Sequence, residues 1–107
     1  MNVLIVEDEN PAAEYLVEML TETAPDTQVQ AVVSSVQEAV TWLQKNTSEL
    51  IFLDVNLGDE LAFDIFKQVQ VDTPVIFTTA YDKYALQAFR LNSIDYLLKP
   101  IDKEELN

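Results

Sequence analysis

The chain has 107 residues, 49% of them apolar, with 19 Asp and Glu against six Lys and Arg, and a formal net charge of −13. That size and apolar content suit one compact domain, residues 1–107, with a core of its own. The absence of His and Cys removes histidine catalysis, imidazole or thiolate metal ligation, disulfides and thiol chemistry.

The six cations, Lys45, Lys67, Lys83, Arg90, Lys99 and Lys103, are scattered along the chain. Binding to phosphate backbones needs them clustered, so no direct nucleic-acid contact is expected. No apolar run approaches the ~20 residues of a membrane span, and no basic segment leads into a cleavable apolar one. The expected location is cytoplasmic, with which a cysteine-free composition agrees.

The first expected strand is VLIV at 3–6, and three carboxylates follow it directly: Glu7, Asp8 and Glu9. Asn10 is the expected N-cap of a first helix, with Pro11 at its first position and an end near Thr23. VQAVV at 29–33 reads as a second strand. Ser35 and Glu38 then have the spacing of a capping box for a helix ending near Asn46. LIFL at 50–53 is a third strand, and residues 61–70 a third helix. Pro74 opens a fourth strand, VIFTT at 75–79, where its missing N–H does least harm. Residues 83–91 form a fourth helix with Asn92 after it, and IDYLL at 94–98 a fifth strand. A fifth helix begins near Asp102 and is cut short at Asn107.

Several of these strands are solidly apolar, which marks strands covered on both faces. Alternating strands and helices imply a parallel sheet with right-handed crossovers. Five strands fit a flavodoxin-like, doubly wound α/β fold of order 2-1-3-4-5.

Such sheets bind ligands at the carboxyl ends of their strands. Here those ends carry Glu7 and Asp8, then Asp54, Thr79 and Lys99. With strands 1, 3, 4 and 5 adjacent, three carboxylates, a hydroxyl and an ammonium share one crevice. Clustered carboxylates call for a cation, and oxygen-only donors favour a hard ion such as Mg²⁺. Asp54 has the chemistry of a carboxylate nucleophile, and Lys99 and Thr79 that of partners for a phosphoryl group. Taken singly, each residue has a plainer reading. Glu7, Asp8 and Glu9 favour a helix dipole, Asp54 fits a turn, Thr79 a strand, and Lys99 a solvated surface. The convergence carries the functional reading.

LIVEDE, IFLDVNL, VIFTTA and DYLLKP, in this order and spacing, resemble the receiver domain of two-component response regulators. TAYDKYALQAF followed by DYLLKPI is similar to the subgroup whose receivers precede a LytTR-type DNA-binding domain. The resemblance implies a phosphorylation switch that is not an enzyme but assists its own phosphorylation and dephosphorylation. Asp54 is implied as phosphoacceptor from a sensor histidine kinase. Glu7, Asp8, Asp54 and the backbone carbonyl of Asn56 are implied as Mg²⁺ ligands. Lys99 is implied at the phosphoryl group, and Thr79 and Tyr96 as switch residues. It further implies a cis Lys99–Pro100 bond and homodimers favoured by phosphorylation. Those form through the fourth helix and fifth strand, where Tyr81, Tyr84, Lys83 and Arg90 lie. The output is transcription regulation through a DNA-binding domain beyond these residues. Departures are Glu7 for the commoner Asp, Gly58 where many members have Pro, and Glu60 and Ala62 where a Gly is usual. They leave the shape of the loop after Asp54 open.

Other readings fit less well. A phosphatase with an aspartate nucleophile wants a second Asp where Asn56 stands. A flavodoxin-type electron carrier wants a phosphate loop where the acids stand. A calcium loop beginning at Asp54 would need Gly at position 59 and Glu at position 65, which are Asp59 and Ile65. A receiver that never takes phosphate would retain every group here without using it.

Overall fold

The computed structural model describes residues 1–58, 60–79 and 95–98. Five parallel strands form the main sheet: β1 (Asn2–Val6), β2 (Gln28–Val33), β3 (Leu50–Asp54), β4 (Val75–Thr79) and β5 (Asp95–Leu98). Their order is β2-β1-β3-β4-β5, as the alternation of elements predicts. Helices α1 (Asn10–Thr23) and α2 (Val36–Lys45) are the long connections, and α3 (Ile65–Gln68) is a single turn. The expected fourth and fifth helices lie outside the described residues. Among the described residues, no helix is long and apolar enough to cross a membrane.

The solid apolar runs have a direct cause. Val3 and Ile5 of β1 pack with Phe52 of β3 against Leu16, Met19 and Leu20 of α1. Leu4 and Val6 point the other way, with Ile51 and Leu53, into a larger cluster completed by α2, Ile65 and Phe77. Period-two alternation with both faces buried requires an apolar residue at every position. β2, at the edge, alternates exposed and half-buried residues instead.

The helix starts follow local chemistry. At α2, Ser35 Oγ accepts from the Glu38 N–H at 3.1 Å, the expected cap. The return bond of a capping box is not made, because the Glu38 carboxylate takes the Ser34 hydroxyl at 3.0 Å. At α1 the cap is Glu9 rather than Asn10, and Asn10 opens the helix. Pro11 is tolerated in this first turn because an N–H there has no partner to lose.

The third helix corrects the sequence reading most. Residues 61–70 do not form one continuous helix. Residues Asn56–Leu57 and Glu60–Leu61 pair as a two-residue antiparallel ladder. Gly58, within that turn, has φ +63°, which glycine adopts without strain. The Ala62 N–H then donates to the Val55 carbonyl at 2.8 Å. Only after a 3₁₀ turn, Ala62–Asp64, does α3 begin. It stops at Val69, whose backbone is extended. Val69 and Val71 are β-branched, poor helix formers, and both pack on the core.

Candidate functional site

β1 delivers its first acid straight from the core. The Glu7 N–H donates to the Val33 carbonyl at 2.9 Å, extending the β1–β2 pairing past the strand end. Glu7 is therefore buried, at 5% exposure, and its Oε2 accepts from the Glu9 N–H at 3.3 Å. Asp54, the last residue of β3, is 4% exposed. Its Oδ1 accepts from the Asn56 N–H at 3.2 Å, a local bond typical of Asp in a turn. The Val55 N–H donates to the Thr78 carbonyl at 3.0 Å, carrying the β3–β4 pairing one residue further. Asp8 is more open to solvent than either. Its Oδ2 accepts from the Gly58 N–H at 2.8 Å, across 50 residues of sequence.

These bonds bring Glu7, Asp8 and Asp54 together. One carboxylate oxygen from each lies within 4.8 Å of the others. Two unit charges about 5 Å apart, at an effective dielectric near 20, repel by roughly 3 kcal/mol. Three such charges with two of them buried form a site that a cation would relieve. All the donors are oxygens and none is His or Cys, which suits a hard divalent ion such as Mg²⁺.

The remaining expected site residues fare differently. Asn56 is at the site, where the described contact is its backbone N–H on Asp54. Thr79 ends β4 and is paired with Leu98, while Tyr96 is paired with Phe77. The structure describes only the backbone of these two. Lys99, with Pro100, lies outside the described residues, as do Tyr81, Tyr84, Lys83 and Arg90.

One residue at the site was not singled out from the sequence, and a second was read there only as a departure from the family pattern. Thr78 is buried and paired in register with Asp54; its neighbour Thr79 was the more conspicuous hydroxyl at the strand end. Gly58 matters through a backbone N–H, which every residue but proline carries, so residue type alone does not mark it. The available signal was that it is the one glycine in the chain, four residues after Asp54.

Residues 3–107 match the response regulator receiver domain. The chain belongs to that family. Receivers of this kind are signalling domains of two-component systems. The chain is 37% identical to the sensory transduction protein LytT of Bacillus anthracis, over 99% of this chain and 44% of that protein. It is 39% identical to the LytT of Enterococcus faecalis, over 99% of this chain and 45% of that protein. It is 37% identical to the sensory transduction protein LytR of Staphylococcus epidermidis, over 100% and 43%. The receiver thus spans somewhat under half the length of these curated relatives. Among solved structures, it is similar to the response regulatory domain of mrkE from Klebsiella pneumoniae. That match has a TM-score of 0.86 and 28% identity, covering 99% of this chain and 88% of the other. It is also similar to a CheY-like response regulator receiver domain from Methylobacillus flagellatus, with a TM-score of 0.83 and 25% identity, covering 100% and 92%.

Proposed function

We propose that this receiver, as one domain over residues 1–107, is a switch that accepts a phosphoryl group on Asp54 from a sensor histidine kinase. The observation that carries the reading is the meeting of Glu7, Asp8 and Asp54 within 4.8 Å at the carboxyl ends of β1 and β3. In the transfer, an Asp54 carboxylate oxygen bonds to phosphorus. The bond to the donor's leaving group breaks, and that group departs with the electron pair. The product is an acyl phosphate.

Glu7, Asp8, Asp54 and the Asn56 carbonyl would hold Mg²⁺, which when bound supplies charge neutralisation. The buried setting of Asp54 keeps water from the acyl phosphate. Thr79 and Lys99 contact the phosphoryl oxygens, and Thr79 and Tyr96 report its arrival. The output passes by protein contact at the fourth helix and β5, as a homodimer favoured by phosphorylation. It serves a LytTR-type DNA-binding domain of a cytoplasmic transcription regulator, while the receiver itself leaves DNA alone. The net charge of −13 agrees with that last point.

The test is incubation with acetyl phosphate and Mg²⁺, read by intact mass and by peptide mapping. One phosphoryl group on Asp54, lost in Asp54→Asn and on chelation, is expected. Equal labelling of Asp54→Asn would overturn the assignment.

A further inference from the structure

The first 44 residues hold eight Asp and Glu and no Lys or Arg. Two of these acids, Glu14 and Glu18, stand one turn apart on α1, both exposed, and like charges at that spacing repel. Among the described residues neither is in an ion pair. Between them and the edge of the sheet runs a groove of about 380 Å³, lined by Asn10, Ala13, Glu14, Val17, Glu18 and Val32. From Asn10 to Glu18 the helix rises about 12 Å, a little over two turns.

The floor of the groove is apolar because β2 carries one extra residue. Val29 pairs with Val3 and Ala31 with Leu4, which leaves Gln30 without a partner on β1, in a bulge. Alternation alone would send Val29 and Val32 to opposite faces of the sheet. With the bulge, Val29 packs beneath α1, Ala31 and Val33 pack on the α2 side, and Val32 lines the groove with Ala13 and Val17. Val32 is 46% exposed. Among the described residues no strand lies beyond β2, and Gln28–Val33 has no charged side chain to guard that edge. Proteins commonly cover such an edge with a helix or loop.

Charge and shape fit one occupant. A helix packed beside α1 at about 8–10 Å would lie over β2 and cover Val32. Its apolar row would meet Ala13, Val17 and Val32, and Lys or Arg one turn apart would meet Glu14 and Glu18 at the same pitch. A second copy of this chain would bring its own α1 glutamates to the groove, and a nucleic acid or anionic membrane its phosphates, so each is repelled. We infer that the groove between α1 and β2 docks a cationic amphipathic helix of a partner protein. The exposed Tyr15 is on another flank of α1, about 100° around the helix from Glu14. The groove is separate from the carboxylate site, and docking there needs no phosphoryl group on Asp54.

The test uses a designed helical peptide of about 18 residues, with a leucine row flanked by lysines one turn apart, and a scrambled peptide of the same composition. Fluorescence anisotropy gives both affinities. The ordered peptide should bind about tenfold more tightly than the scrambled one, and more weakly as NaCl rises. Glu14→Lys should weaken it about tenfold, whereas Glu38→Lys, the same charge change on α2, should stay within about threefold of wild type. Val32→Thr keeps the branched shape at an exposed position and should weaken binding about three- to tenfold. Amide shifts on titrating the wild type should fall on residues 10–18 and 28–33; shifts confined to other residues overturn the inference, whether or not any variant folds. Equal binding of the scrambled peptide, or equal loss in Glu14→Lys and Glu38→Lys, replaces the groove by general attraction to a −13 chain and overturns it. Loss in Tyr15→Ala with none in Val32→Thr puts the site on the other flank and overturns it as well. Sedimentation showing dimers of the chain alone, dissolved by Val32→Thr, makes a second copy the occupant and overturns the cationic partner.

Discussion

The ring of Phe63 lies 5.3 Å from that of Phe77, tilted by 51°, and so ties the segment after Asp54 to the centre of the sheet. Phe66 approaches the same ring at 6.2 Å. Phe77 is fully buried on β4. The one-turn α3 cannot hold itself together, since short helices are marginal without packing. It stays in place because Phe63, Ile65 and Phe66 are pinned to this face.

Phe77→Ala should therefore be among the most damaging core substitutions. Truncating a buried Phe costs about 3–5 kcal/mol. Against a total stability of about 5–15 kcal/mol, that leaves a marginal fold. Urea denaturation should show a large fall in midpoint, and Phe77→Leu should recover much of it. A midpoint within a few tenths of a molar of wild type would contradict the anchoring role.

Ser35→Ala tests a local contact with little else at stake. The Ser35 hydroxyl is the described side-chain cap of α2, on the Glu38 N–H. Its loss should cost about 1 kcal/mol. Glu38→Gln should cost less than about half of that, because the Glu38 carboxylate makes its contact at the surface with Ser34. Denaturation midpoints of the two variants, at equal slope, give the comparison directly.

These cases show what the sequence makes legible. VLIV and LIFL read as strands because residues on both faces are buried, which leaves no polar position to confuse the period. The acids at 7, 8 and 54 read as one site because a parallel sheet collects carboxyl ends at one edge. The start of α1 shifted by one residue because Asn10 and Pro11 are both at home on either side of a helix boundary. The α3 region was illegible for a different reason. Residues 61–70 have helical composition, but the turn at Gly58 and the Ala62–Val55 bond commit residues 60–62 elsewhere. Backbone pairing of this kind leaves little mark on residue type.

Magnesium should stabilise the receiver by linkage. A ligand that binds only the folded state adds about 2.7 kcal/mol at a concentration 100 times its Kd. The urea midpoint should rise with MgCl₂ beyond what NaCl of equal ionic strength gives, since NaCl only screens the self-repulsion of a −13 chain. Asp54→Asn removes one of the three clustered carboxylates and should lose most of the magnesium-specific part. Equal stabilisation by the two salts in the wild type would count against the site.

The last prediction separates two adjacent threonines. Thr78 is 3% exposed and paired in register with Asp54, so it is part of the packed sheet. Thr79 is one step further, at the end of β4 and paired with Leu98 of β5. A switch hydroxyl must be able to move when a phosphoryl group arrives, and a ligand shifts a population only through differential contact. A packed strand interior resists that movement, whereas a strand end permits it. Thr79→Val should therefore still take phosphate on Asp54 but lose much of the response to it. The response can be read as amide shifts of residues 95–98 when beryllium fluoride, a phosphoryl mimic, is added with Mg²⁺. Thr78→Val should keep those shifts and alter mainly the denaturation midpoint. Full-sized shifts in Thr79→Val, or their selective loss in Thr78→Val, would move the switch from Thr79 to its buried neighbour.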